Sequence, residues 1–66
     1  MTTYSPAHAA AALELDGPAE KAYLANDWAK YSELKLKQAD LFDQAGLADS
    51  AKIARNAAKE VASLVK

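Results

Sequence analysis

Three aspartates near a predicted helix end are the first residues whose spacing suggests a chemical site. Asp40, Asp43 and Asp49 fall within the stretch DLFDQAGLADSA, residues 40–51. A calcium loop of the EF-hand type needs oxygen ligands at alternating positions and a terminal glutamate, and this stretch lacks that pattern. Carboxylates are common at helix ends and on solvated faces. We therefore interpret all three as surface or capping residues and predict no metal site.

The candidates for catalysis are few. His8 is the single histidine, it lies in an alanine-rich stretch without a nearby acid or nucleophile, and the chain has no cysteine. A general base needs a proton donor within reach, and a structural zinc site needs several nitrogen or sulfur ligands. Two glycines, Gly17 and Gly46, do not make a phosphate-binding loop. The sequence thus predicts no catalytic residue and no cofactor, and we expect that the protein is not an enzyme.

Three aromatic residues form the last candidate cluster. Tyr23, Trp28 and Tyr31 are close enough in sequence to stack on nucleic-acid bases or to hold a ligand. Proteins that bind single strands combine such aromatics with a positive groove. Here eight Lys and Arg stand against nine Asp and Glu, with a net charge of −1. We interpret the aromatics as packing residues and predict no nucleic-acid partner.

The first element that positions these residues is a short helix. Ser5 followed by Pro6 predicts a helix start, because the serine oxygen accepts from a free amide and proline needs no partner in the first turn. This helix is predicted over about residues 6–15. At Asp16-Gly17-Pro18 the chain is expected to turn back, because glycine tolerates a left-handed turn and proline suits a new first turn. Residues 1–5 are expected to be flexible.

A long helix is predicted over about residues 18–45. This stretch has no glycine or proline after Pro18 and is rich in Ala, Leu, Lys and Glu. One continuous helix there would measure about 42 Å at 1.5 Å per residue. The alternative is a break at Asn26-Asp27.

A third, amphipathic helix is predicted over about residues 47–65. Gly46 suits the left-handed residue after a helix, and a Schellman turn there brings Leu47 to Phe42. The third helix carries its apolar residues on one side and needs one packing partner. The sequence therefore predicts an all-α antiparallel helical hairpin with a short leading helix, in a single small domain over residues 1–66.

The apolar residues of the long helix indicate an interaction surface. Leu36 points to nearly the opposite side from Leu34, Leu41 and Tyr23, so one neighbouring helix cannot cover all of them. The short first helix, about 15 Å long, is expected to reach only to around Trp28. An exposed apolar strip of this kind usually marks a binding site. We predict that Tyr23, Leu34, Leu36 and Leu41 contact a protein partner.

Part of the chain resembles the tetratricopeptide repeat family. The segment ALELDGP, residues 12–18, is similar to the end of one repeat running into the next, and residues 32–65 resemble a repeat unit. The matching positions in that unit are Ala39, Phe42, Gly46, Ala51 and Ala58. Lys35, Gln38 and Arg55 depart from the family's apolar and aromatic positions. The resemblance implies a helical scaffold that binds protein segments, and it implies no catalytic residue.

Two functions follow from these features. The first is a non-catalytic module for protein–protein interaction or oligomerisation, whose partner is a second copy of the chain or a helix of another protein. The alternative is a small regulator, of phage or mobile-element type, that binds and inhibits a host enzyme or complex. No stretch approaches a membrane span and there is no cysteine, so we expect a cytoplasmic protein without a membrane partner.

Overall fold

The computed structural model describes residues 4–65, which form four helices and no strand. They are α1 (Pro6–Glu14), α2 (Asp16–Leu24), α3 (Trp28–Gln44) and α4 (Ala48–Ala62). The all-α prediction is confirmed. Residues 1–3, part of the segment expected to be flexible, lie outside the described residues. Ser5 caps α1: its Oγ accepts from the His8 amide at 3.5 Å, and Pro6 follows in the first turn.

Helices α1 and α2 form one kinked rod, residues 6–24, which we call the arm. The expected reversal at Asp16-Gly17-Pro18 is wrong. Leu15 between the two helices keeps a right-handed helical conformation, and its carbonyl accepts from Ala19 at 2.9 Å. Pro18 has no amide to donate to Glu14, so the hydrogen-bond ladder is interrupted where α1 ends, but the chain keeps its direction.

The predicted continuous helix over residues 18–45 is also wrong, because the chain reverses at the alternative site, Asn26-Asp27. Asn26 has φ 58°, and asparagine is one of the few residues that tolerate the left-handed region. The Asp27 amide donates to the Ala22 carbonyl at 2.9 Å, which closes a Schellman-type turn. The Asp27 side chain then accepts from the Lys30 amide at 3.3 Å and caps α3.

The α3–α4 hairpin follows the prediction. Gly46 has φ 83°, and the Leu47 amide donates to the Phe42 carbonyl at 2.8 Å, as in a Schellman turn. Helix α4 runs back along α3, where Ala39, Ala51 and Ala54 form a buried cluster with Phe42 packed against it. The small side chains let the two backbones approach closely.

The arm and α4 pack on adjoining sides of α3, which lies between them. The arm runs antiparallel to α3 along its length: the Ser5 amide donates to the Ala45 carbonyl at 3.0 Å, and at the other end Tyr23 packs on Tyr31. Within the described residues, no Cα of α4 lies within 8 Å of a Cα of α1 or α2. The principal extents are 39 × 19 × 12 Å, which fit three parallel rods arranged as a shallow V in cross-section.

The core between these helices consists almost entirely of alanine. The buried apolar residues are Ala9, Ala12, Ala19, Ala22, Ala39, Ala45, Ala51, Ala54, Ala58 and Val61. In the described part of the chain, the largest fully buried side chain is polar, Gln38. The exposed large apolar residues are Tyr4, Leu13, Tyr23, Leu24, Leu36, Ile53, Leu64 and Val65. The molecule thus places its small apolar side chains inside and many of its large ones outside.

Candidate protein-interaction site

One open groove runs over α3 between the arm and α4. Its floor is a single face of α3, with Tyr31, Lys35, Gln38 and Phe42 at positions i, i+4, i+7 and i+11. Two depressions of ≈ 220 and ≈ 610 Å³ share Lys35 and Asp16 in their linings, so they adjoin each other along α3. We call the whole surface the groove.

The lining of the groove changes from one end to the other. Near the α3–α4 turn it is apolar, with Phe42 on the floor and Ile53 and Ala57 on α4. At the other end it is acidic and aromatic. The lining there includes Glu20 and Tyr23 from α2, Tyr31 from α3 and Glu60 from α4. The groove therefore has an apolar end and an acidic, aromatic end.

Gln38 joins the arm to α3 beneath the middle of the groove. Its Nε2 donates to the Ala12 carbonyl at 2.8 Å and to Asp16 Oδ1 at 2.6 Å, and its Oε1 accepts from Lys35 Nζ at 3.1 Å. Lys35 Nζ also lies 3.9 Å from Asp16 Oδ1. Every hydrogen-bonding atom of this buried side chain has a partner, so burial of Gln38 carries no unpaired polar group. The sequence pattern does not predict this role, and its one signal is a glutamine at an expected apolar position.

At the acidic, aromatic end three aromatic rings pack together, and one of them, Tyr23, is exposed to solvent. The Tyr23 ring lies 5.2 Å from Trp28 in an edge-to-face arrangement and 5.3 Å from Tyr31. Trp28 and Tyr31 are half-buried, whereas Tyr23 is 50% exposed. Burial raises the pKa of the Tyr31 phenol, and Tyr23 and Glu60 raise it further by electrostatic interaction. The aromatics thus pack together, and they also present a surface to solvent.

The structure does not bring the four predicted partner-binding residues together. Tyr23 lines the groove. Leu34 and Leu41 are half-buried and lie on the same flank of α3 as Gln38, toward the arm. Leu36 is 49% exposed and points about 160° away from Gln38 on the helical wheel. The expectation that the first helix stops short of these leucines is wrong, because the arm follows α3 as far as Ala45.

The other candidate residues have structural contacts. Asp40 and Asp43 both accept from Arg55 Nη2 on α4, and hydrogen bonding to Asp43 raises the pKa of Arg55. His8 Nδ1 lies 2.7 Å from Ser5 Oγ at the start of α1. Residues 4–65 contain no group of three or more His, Cys, Asp or Glu side chains placed to hold a metal ion.

Comparison with known proteins provides no relative from which to infer function. No protein-family model matches the chain, and neither a curated protein nor a solved structure is significantly similar to it. None of the helices within residues 4–65 is both long enough and apolar enough to cross a membrane. The functional assignment therefore depends on the groove and on the distribution of apolar residues.

Proposed function

We propose that this chain is a non-catalytic helical module that binds a protein helix in the groove. The helix comes from a second copy of the chain or from another protein. The observation that carries this proposal is the inverted distribution of apolar residues. Within residues 4–65, nine of the ten buried apolar residues are alanines, while eight large apolar residues are exposed.

An alanine core leaves the isolated chain with little hydrophobic stabilisation. Burying a large apolar side chain contributes about 1.5–3 kcal/mol, and an alanine side chain contributes much less. A domain of 66 residues already buries a smaller share of its surface than a larger one. A partner in the groove would cover Ile53 and Tyr23, the two of these exposed side chains that line it, and would stabilise the folded state by mass action.

The groove is the surface best shaped for that partner. Ile53, 69% exposed, stands on its α4 wall beside Phe42 on the floor. Tyr23, predicted to bind a partner, lies at the other end. The resemblance to tetratricopeptide repeats, which implies a scaffold for protein segments, agrees with this use of a helical groove. Action in the cytoplasm stays a prediction from the sequence.

Two matched variants test the proposal. Ile53→Glu places a charge in the apolar end of the groove, and Leu36→Glu places the same charge on the opposite side of α3. We expect that Ile53→Glu abolishes association while Leu36→Glu leaves it intact. Sedimentation equilibrium at micromolar concentration measures self-association. A photoreactive side chain at position 57, crosslinked in extract of the source cells, measures association with another protein.

The two readouts together decide the proposal. A chain that sediments as a monomer and forms no crosslinked product would refute it. Equal sensitivity to both variants would show that the groove is not the binding surface. Circular dichroism of each variant must show the helical content of the parent chain, because both substitutions are at exposed helical positions where glutamate is well tolerated.

A further inference from the structure

We propose that the groove receives a basic amphipathic helix of another protein. Its apolar residues contact Phe42 and Ile53, and a Lys or Arg side chain enters the acidic, aromatic end. This inference rests on the proposed function and specifies the partner's chemistry.

Two carboxylates at that end have no ion-pair partner within residues 4–65. Asp16 is 3.9 Å from Lys35 Nζ and accepts from Gln38, so its charge is compensated. Glu20 on α2 and Glu60 on α4 form no salt bridge in this part of the chain, yet both line the same ≈ 610 Å³ depression from opposite walls. A cation placed between them would be attracted by both.

The aromatic rings favour the same kind of ligand. The negative face of a tyrosine ring attracts ammonium and guanidinium groups within about 6 Å of its centroid. Lys35 Nζ already lies 5.7 Å from the centroid of Tyr31, so this ring has a cation from the chain itself and the Tyr23 ring is the one left for an incoming cation. The neighbouring Tyr23 ring is half exposed. The field of Glu60 reaches the Tyr31 phenol, as the raised pKa of that group indicates.

The shape of the groove suits a helix. Gln38 contacts the arm and Ala39 contacts α4, and these adjacent residues point about 100° apart around α3. With usual packing distances, the axes of the arm and α4 are then about 14 Å apart, which leaves a seat for a further helix between them. Phe42 and Tyr31 are separated by about 16 Å along α3, or three helical turns. The partner helix should therefore place its apolar anchor and its cation about three turns apart.

A second copy of the chain is a poorer match to the groove. Neither two-fold arrangement of facing grooves neutralises Glu20 and Glu60: with the acidic ends together they meet the same carboxylates of the other copy, and with the ends reversed they meet its apolar end. Like charges across an interface oppose association. A basic helix meets the same surface with opposite charge.

Three synthetic peptides test the inference on the full chain. Each is an 18-residue amphipathic helix with the same leucine face, and the polar face is arginine, glutamine or glutamate. Fluorescence anisotropy should show that the arginine peptide binds about tenfold more tightly than the glutamine peptide, from two partly exposed charge contacts. The glutamate peptide should bind most weakly, and the preference should shrink as salt is raised.

Variants that neutralise two glutamates test whether these residues cause the preference for the arginine peptide. Glu20→Gln with Glu60→Gln should remove the preference for the arginine peptide and leave the affinity for the glutamine peptide unchanged. The matched control, Glu14→Gln with Glu33→Gln, changes the net charge equally at exposed positions that do not line the groove and should leave the preference intact.

The outcomes separate this inference from the proposed function. Equal binding of all three peptides, lost in Ile53→Glu, would overturn the basic partner and keep the interaction module. A dimer that Ile53→Glu dissociates, with no peptide bound, would show that a second copy fills the groove and would also overturn the basic partner. A monomer that binds no peptide and forms no crosslinked product from position 57 would overturn both.

Discussion

The two helix interfaces of this molecule are built from different kinds of contact. The α3–α4 interface is apolar and close-packed, with Ala39, Ala51 and Ala54 buried and Phe42 beside them. The arm–α3 interface also contains buried alanines, but its centre is Gln38, hydrogen-bonded to the Ala12 carbonyl and to Asp16. The stability of the α3–α4 interface depends on side-chain volume, and that of the arm–α3 interface depends on the geometry of hydrogen bonds.

This difference determines what each interface tolerates. Apolar contacts are not directional, so alanine packing limits how closely two helices approach more than it fixes one register. A buried amide with all its hydrogen bonds formed fixes one register, because a shift would leave polar groups unpaired. Gln38 therefore sets the height of the arm on α3, and with it the positions of Asp16 and Glu20 on the wall of the groove.

The largest effect is expected from overpacking the α3–α4 interface. Ala39 is fully buried, and Ala39→Leu forces α4 away from α3, which should lower the free energy of unfolding by about 3 kcal/mol. Ala29→Leu makes the same substitution at an exposed position of the same helix and should change it by less than about 0.5 kcal/mol. Urea unfolding followed by circular dichroism measures both. A similar loss in the two variants would show that α4 does not pack on Ala39.

The arm–α3 interface should respond to loss of hydrogen bonding without loss of volume. Gln38→Leu keeps the reach of the side chain and removes its donors to the Ala12 carbonyl and Asp16. We expect a loss of about 1–2 kcal/mol in the free energy of unfolding, because a buried acceptor loses a partner.

Gln44→Leu is the matched control, since Gln44 is exposed on the same helix and should be nearly neutral. Hydrogen exchange sharpens the result: in Gln38→Leu, amides of the arm should exchange faster relative to those of α4. Uniform acceleration in all helices would contradict a separate polar interface.

The two interfaces also differ in how far the sequence predicts them. The α3–α4 hairpin follows from the apolar face of residues 47–65 and from Gly46, because both signals are local. The arm does not, because Asp16-Gly17-Pro18 is compatible with a reversal and with the start of a helix that continues forward. The choice between them depends on packing against α3, which no local pattern records.

The same limit applies to the groove. Of the four residues predicted to bind a partner, only Tyr23 lines it. Glu20 and Glu60 lie on different helices and reach one surface only because the arm and α4 flank α3. The reversal lies at Asn26 and not at residues 16–18, and this places α2 beside α3. The wrong turn is therefore the reason that the sequence did not indicate Glu20 and Glu60 as neighbours.

Substitutions in the two turns that precede α3 and α4 should have the smallest effect on the free energy of unfolding. Gly46 and Asn26 both have positive φ, at 83° and 58°. Gly46→Ala should lower the free energy of unfolding by about 1 kcal/mol, because alanine is strained in the left-handed region. Asn26→Ala should lower it by about 0.5 kcal/mol, because asparagine already bears part of that strain, and Asn26→Gly should be nearly neutral. Thermal unfolding of the three variants compares them.

Combining two of these variants tests whether the turn at Asn26 forms independently of the contacts between the arm and α3. If the arm–α3 contacts impose the reversal on Asn26, the strain introduced by Asn26→Ala should weaken those contacts. The losses in the free energy of unfolding caused by Asn26→Ala and Gln38→Leu should then be more than additive. If the left-handed turn forms independently, the two losses should add, since Asn26 and Gln38 share no contact. Additivity is expected here, because the Schellman-type bond from Asp27 to Ala22 closes the turn within the arm's own last residues.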